Sequence, residues 1–370
     1  MKKFYFFIGT TAELIKLAPV IGAFEKSNVD FQIISSNQNS LHFSELNNFI
    51  KTQKADYVLK IRKFTWPKNI YLRFIVWFVK TVGNYFLYFR NVVKDNEKGA
   101  TYFIVHGDTV STLLGSLVAK VTGVSLVHIE SGLRSYKLLE PFPEEINRVI
   151  VSRLADYHFC PNSWSKNNLK KINGKKINTH YNTVGETTLT TLKQKGSHGI
   201  TELKGKKYFV FVLHRQEHTL FNKHNSEKLI NQVINNANTN LVCVFVMHKL
   251  TKDYLKSQKM LDKITHNKNI ILPSRLEYTK FVKLLADSEF VITDGGSNQE
   301  ECYFMGKPCL IIREHTERVE GLGENAVIVG NNSKKIDTFF KEYKKYKRKK
   351  VKIDKDKSPS QIITDYLINI

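Results

Sequence analysis

The chain has 370 residues, 42% of them hydrophobic, and a formal net charge of +23. That length and apolar content suit one very large domain or two ordinary ones with real cores. Four scattered cysteines form no C-x-x-C pair or Cys/His cluster, which excludes a zinc site and reads as buried, reduced, cytosolic thiols. The excess of positive charge attracts anions, whether nucleic acid, acidic lipid or phosphorylated substrates. Nucleic acid is set aside, because the chain carries no helix-turn-helix, RRM or zinc-finger pattern.

In chain order, MKKFYFFIGTTAELIK begins like a signal peptide, but its apolar run is too short and Glu13 and Lys16 follow at once. KFYFFIG (3–9) reads as a strand, AELIKLAPVIGAFEK (12–26) as a helix and FQIISS (31–36) as the next strand. Residues 69–94 read as an aromatic-rich helix with Arg73, Lys80, Asn84 and Asn91 on one narrow stripe, too interrupted to cross a membrane. It suits either burial against the first sheet or in a dimer contact, or a position on a membrane surface. Strand TYFIVHG (101–107), helix 108–123 and strand VSLVHIE (124–130) continue the alternation. A linker is expected near 185–200. The pattern restarts with strands KYFVFVL (207–213), NLVCVFVM (240–247), NIILP (269–273), FVITDG (290–295) and PCLIIR (308–313). Apolar strands alternating with helices predict parallel sheets covered on both faces, here in two doubly wound α/β halves. The ligand belongs beyond the C-terminal strand ends, in the cleft between the halves. Residues 334–357 carry twelve Lys or Arg against four acids, which suits a solvated helix face and tail or a patch for anionic lipid headgroups.

Several chemically capable residues sit at the predicted strand ends. Asp108 follows one strand, Glu130 ends the next, and PFPEEINR then supplies Glu144 beside Glu145. His214 and His248 end two strands of the second half, and Arg215 adjoins the first of them. DGGSNQEE places a glycine turn at a helix start near Ser297, which offers backbone N–H groups to phosphate. Each feature has an ordinary structural reading: Asp108 as an N-cap, the glutamate pair in a first helical turn, DGGS as a turn. Together they describe an acid-lined pocket facing a phosphate cradle, suited to a nucleotide diphosphate worked on by proton transfer.

GTTAELIKLAPVI, VHGDTVSTLLGSLVA, HIESGLRS, PFPEEINR, DGGSNQEE and REHTERVEG, in that order, resemble the motif series of the non-hydrolysing UDP-N-acetylglucosamine 2-epimerase family over nearly the whole chain. The resemblance implies an α/β GT-B fold of two Rossmann-like domains with the active site in the cleft between them. The domains expected are 1–187, carrying the acid–base carboxylates, and 188–357, binding UDP and bearing the basic tail, with a final helix (358–370) packing back on the first. It implies inversion at sugar C2 by elimination of UDP, a glycal intermediate and re-addition of UDP, with no metal or redox cofactor. By match to the family's positions, Asp108, Glu130 and Glu144 form the acid–base group and His214 assists near the diphosphate. Gly295, Gly296 and Ser297 match phosphate positions, and Glu301 matches the residue that holds the ribose. Lys16, Arg134, Arg215, His248 and Arg318 complete the implied substrate-binding set. A UDP-sugar substrate, a homodimer and a cytoplasmic location are expected, with an anionic membrane surface as a further partner and a peripheral position at the inner face of the plasma membrane.

The chain departs from the family in three places. GTTAE stands where the family has Gly-Thr-Arg-Pro-Glu, so a phosphate-contacting Arg is Thr11; DGGS replaces Asp-Ser-Gly-Gly; and SNQNS (36–40) replaces the regulatory Gln-His. A lost charge-assisted contact of this kind is worth about 1.5–3 kcal/mol. These changes leave open a membrane-associated glycosyltransferase on the same scaffold, a hydrolysing epimerase and a non-enzymatic nucleotide- or lipid-binding module. The retained acids speak against the last.

Overall fold

A computed structural model describes residues 2–59, 76, 79–84, 86–87, 99–138, 140–213, 223–330, 332–354 and 357–370. Two compact units divide the chain: Met1–Thr187 with Asp354–Ile370, and Thr188–Ile353. Apart from helical residues 76, 79–84 and 86–87, the expected helix over 69–94 lies outside the described residues. No helix among the described residues is long and apolar enough to cross a membrane.

The first unit is built on a seven-stranded sheet of β1 (Lys3–Ile8), β2 (Phe31–Ser35), β3 (Tyr57–Val58), β4 (Thr101–His106), β5 (Ser125–Ile129), β6 (Tyr157–Cys160) and β7 (Lys175–Asn178). Every pairing is parallel, in the order β3-β2-β1-β4-β5-β6-β7. β1 is apolar from Phe4 to Ile8 because both of its faces are covered. Phe4, Phe6 and Ile8 join Leu17, Ile21 and Phe24 of the helix Thr11–Lys26, while Tyr5 and Phe7 join Leu114 and Val118 of the helix Val110–Thr122. The first helix opens on a capping box between Thr10 and Glu13. The second is capped by Thr109 and ends at Gly123, which takes the left-handed conformation (φ 76°). The C-terminal helix Pro359–Asn369 adds Ile363 and Leu367 to the core of this unit, and Ser358 and Ser360 bond to the Glu186 carboxylate.

The second unit carries a six-stranded parallel sheet of β8 (Tyr208–Leu213), β9 (Val242–Met247), β10 (Ile270–Ile271), β11 (Val291–Thr293), β12 (Cys309–Ile311) and β13 (Ala326–Ile328), in the order β10-β9-β8-β11-β12-β13. Its core is strongly aromatic: Phe211 stacks on Phe245 at 4.4 Å and Phe209 on Phe290 at 5.1 Å. All four cysteines are reduced and buried.

In each sheet the strand order reverses once, between β1 and β4 and between β8 and β11. Ligands of doubly wound sheets bind at such reversals, beyond the C-terminal strand ends. The loops after β1, β4 and β11 are the ones the sequence motifs occupy.

The sequence reading needs one correction here. The boundary between the units, at Thr187 and Thr188, falls within the expected linker over 185–200, but the first part of that stretch is the helix Thr183–Lys193. Its Gly and Thr content reads as poor helix, but the hydroxyl of Thr187 bonds back to Thr183 O and across to Ile15 O, and buried packing outweighs propensity. β3, β6, β7 and β13 carry no clear signal, being two to four residues long and, in β7, polar at three of four positions.

Candidate active site

In the first unit, Glu13 joins the loops after β1 and β4. It is buried and accepts from the backbone N–H groups of Gly9 (2.6 Å) and Thr10 (2.9 Å) and from the hydroxyls of Thr109 (2.5 Å) and Thr112 (3.2 Å). Burial raises its pKa, and the four donors oppose that shift. Sequence reasoning passed over Glu13; its signal was the T-x-x-E spacing at Thr10–Glu13.

Glu130 follows β5 with φ at 64°, a left-handed conformation uncommon outside glycine. Its buried carboxylate accepts from Lys16 Nζ at 2.7 Å and Asn182 Nδ2 at 2.5 Å, and His106 Nε2 lies 3.7 Å away. Burial lowers the pKa of His106 to about 3, so the imidazole is neutral at pH 7 and Lys16 is the cation that balances Glu130. His128, whose Nε2 sits 2.8 Å from Gly107 O, is likewise pushed down to about 4 by burial. A carboxylate backed by neutral imidazoles and one ammonium keeps its position without being swamped by positive charge.

Asp108 is not the N-cap; Thr109 takes that role and frees the Asp108 side chain. Asp108 pairs with Arg148 Nη2, and its backbone carbonyl accepts from Asn147 Nδ2 at 2.8 Å. Both partners lie on the helix Glu144–Leu154, whose first residue is Glu144, half-buried. Glu145 is buried beneath it, accepting from Arg148 Nη1 (2.8 Å) and Ser135 N (3.1 Å), with Arg134 Nη1 at 3.5 Å. Glu145 anchors the two arginines, and Glu144 opens the helix. A Cβ at Gly107, next to Asp108, would stand 3.7 Å from Glu130 Oε1. The structure therefore brings Asp108, Glu130 and Lys16 to the C-terminal strand ends of this sheet, and Arg148 and Glu145 tie Asp108 and Arg134 to the helix that Glu144 opens.

In the second unit, β11 leads through buried Asp294 into the helix Gly296–Met305. Gly295 N donates to Thr293 Oγ1 (2.9 Å), and Thr293 donates to Asn298 Oδ1 (3.0 Å), which fixes the turn. Asn298 Nδ2 then holds Glu301 Oε2 at 2.8 Å. Buried Arg318 pairs with Glu300 at 3.0 Å. Gly296 is required by close approach: a Cβ there would lie 2.5 Å from Arg318 Nε and 2.7 Å from Glu317 Oε1. The first turn of this ten-residue helix, at Gly296 and Ser297, presents backbone N–H groups where an anion is favoured, whereas the N–H of Gly295, expected at a phosphate position, is taken by Thr293. His248 is exposed at the end of β9 and precedes the helix Lys249–Ser257. His214 and Arg215 lie outside the described residues.

The sequence pattern of the UDP-N-acetylglucosamine 2-epimerase family matches residues 26–361. The chain belongs to that family. It is 31% identical over 345 residues to the UDP-N-acetylglucosamine 2-epimerase of Methanocaldococcus jannaschii, covering 89% of this chain and 88% of the relative. It is 31% identical over 365 residues to that of Neisseria meningitidis serogroup A, covering 94% and 93%. The crystal structure of the M. jannaschii enzyme in complex with UDP-GlcNAc and UDP superposes with a TM-score of 0.83 over 100% of both chains at 28% identity. The two-sheet architecture is thus the GT-B-like one of this epimerase family. Where this member carries Thr11, the hydroxyl donates to Ser40 O (2.9 Å) and accepts from His42 N (3.3 Å), so the residue fastens the neighbouring loop. Lys16, buried on Glu130, is committed to a carboxylate. Asn182 and Arg148, absent from the sequence-derived set, are placed on it only by folding, 52 residues from Glu130 and 40 from Asp108.

Proposed function

We propose that this chain is a non-hydrolysing UDP-N-acetylglucosamine 2-epimerase that interconverts UDP-GlcNAc and UDP-ManNAc. The observation that supports the reading is that Asp108 follows β4 and Glu130 follows the neighbouring β5, with Asp108 tied through Arg148 to the helix that Glu144 opens. In this reading one carboxylate removes the C2 proton as the C1–O bond to UDP breaks, leaving the glycal. A second carboxyl group delivers a proton to the opposite face of C2, and UDP re-forms the C1–O bond. Lys16 and Asn182 keep Glu130 oriented, and Arg148 does the same for Asp108, so proton transfer needs little rearrangement.

The departing diphosphate is assigned to the first turn of the helix Gly296–Met305 with Arg318, and the ribose to Glu301. His214, Arg215, Arg134 and His248 are assigned to substrate by their match to the family. The same proposal includes a homodimer, a cytoplasmic location and a role in surface polysaccharide synthesis. No observation favours the glycosyltransferase reading.

Proton NMR of the protein with UDP-GlcNAc in heavy water tests it. Deuterium entering C2 together with growth of UDP-ManNAc is the expected result. Free N-acetylmannosamine would make the chain a hydrolysing enzyme, and UDP binding without exchange at C2 would overturn the epimerase reading.

A further inference from the structure

Between Lys334 and Lys352 the chain carries ten Lys or Arg and two acids, and every one of the ten is exposed. Both acids are occupied: Asp337 accepts from Gln232 (2.7 Å) and Glu342 pairs with Lys345 (2.9 Å). The segment is built into the second unit. Ile336 and Phe339 of the helix Ser333–Glu342 are buried, Phe339 stacks on Tyr346 at 5.5 Å, and Tyr343 lies 4.7 Å from Phe290. The stretch that follows is tied down by Arg348 N to Gly306 O (2.9 Å) and Val351 N to Phe304 O (3.0 Å). Gly306 permits this approach, since a Cβ there would meet Arg348 O at 2.2 Å.

The attachment also separates the cluster from the proposed nucleotide site. Phe304 and Gly306 mark the C-terminal end of the helix whose first turn is assigned to the diphosphate. A ten-residue helix is about 15 Å long. These cations are therefore not the substrate's, and they persist against mutual repulsion on a fixed surface.

We propose that this surface, Lys334 to Lys352, docks the protein on an anionic lipid bilayer. Nine of its ten cations are lysines, which act as point charges on long stems, while arginine is the residue suited to bidentate phosphate recognition. A surface for single-stranded nucleic acid would interleave exposed aromatics for base stacking. Here Phe339, Phe340, Tyr343 and Tyr346 all pack inward on the core of the unit.

The test is co-sedimentation of the full chain with phosphatidylcholine vesicles, with and without phosphatidylserine, at low and high salt. Two variants of equal charge change are compared. One is Lys344→Glu/Lys347→Glu/Lys349→Glu/Lys350→Glu. The control, Lys206→Glu/Lys252→Glu/Lys256→Glu/Lys263→Glu, alters exposed lysines elsewhere in the same unit. Each basic group near such a surface strengthens partitioning by about fivefold. Binding to phosphatidylserine vesicles that weakens with salt, falls at least about tenfold in the first variant and survives in the control, with thermal melting unchanged in both, is the expected result. Absence of binding at low salt would overturn the proposal. So would equal loss in both variants, which would make net charge the cause. So too would tighter binding of a single-stranded oligonucleotide that is lost in the first variant.

Discussion

Lys16→Met removes the ammonium paired with Glu130. The pair is 2.7 Å apart, with side-chain exposures of 10% and 2%, so solvent supplies little of the missing compensation. His106 is held neutral by burial and offers no replacement charge. Breaking a buried pair by deleting one partner costs about 3–5 kcal/mol. In a unit of this size that corresponds to a fall of about 6–20 °C in the melting of the first unit. Differential scanning calorimetry reads it directly. The companion variant Lys16→Met/Glu130→Gln removes the stranded charge and is expected to recover at least half of the loss, because the amide still accepts from Asn182. If Lys16→Met melts within about 2 °C of wild type, or the double variant is no better than the single, the pair does not carry the balance ascribed to it.

Three further outcomes are expected. Glu144→Gln should nearly abolish C2 exchange while UDP binding, measured by calorimetry, stays within a few-fold; wild-type turnover would remove Glu144 from the proton-transfer set. His106 and His128 have folded pKa values lowered by burial to about 3 and about 4, so below the unfolded value the unfolded chain binds more protons. Stability is therefore complete above about pH 6.5 and is lost as pH falls toward 4, with a slope approaching about 3 kcal/mol per pH unit for two such groups. His128→Gln should flatten the slope of melting temperature against pH by about half between pH 6 and 4.5. Gly296→Ala forces a methyl group against Arg318 and Glu317 and should cost about 1–3 kcal/mol and weaken UDP binding more than tenfold; unchanged binding would detach this turn from the nucleotide.

The alternation of apolar runs with helical periodicity was enough to predict two parallel, doubly wound sheets, because a strand covered on both faces must be apolar along its whole length, as β1 is from Phe4 to Ile8. The strand-end positions of Asp108 and Glu130 and the helix start at Glu144 followed from the same local patterns. So did the turn before the helix Gly296–Met305. What local patterns do not carry is which distant groups surround a carboxylate. The first part of the linker reads as non-helical until the Thr187 hydroxyl finds a buried acceptor, and β7 is too short and polar to announce itself. The anchoring part of Glu145 needed Arg148 and Arg134 in place, and the state of His106 needed its burial. Lys16 and Glu130 are 114 residues apart in the chain and 2.7 Å apart in the fold. The sequence alone determined that the sheets are parallel and which chemical groups stand at the ends of their long apolar strands; the tertiary structure alone decided the short strands and the partners and charge states of those groups, because these depend on long-range packing and on the water it excludes.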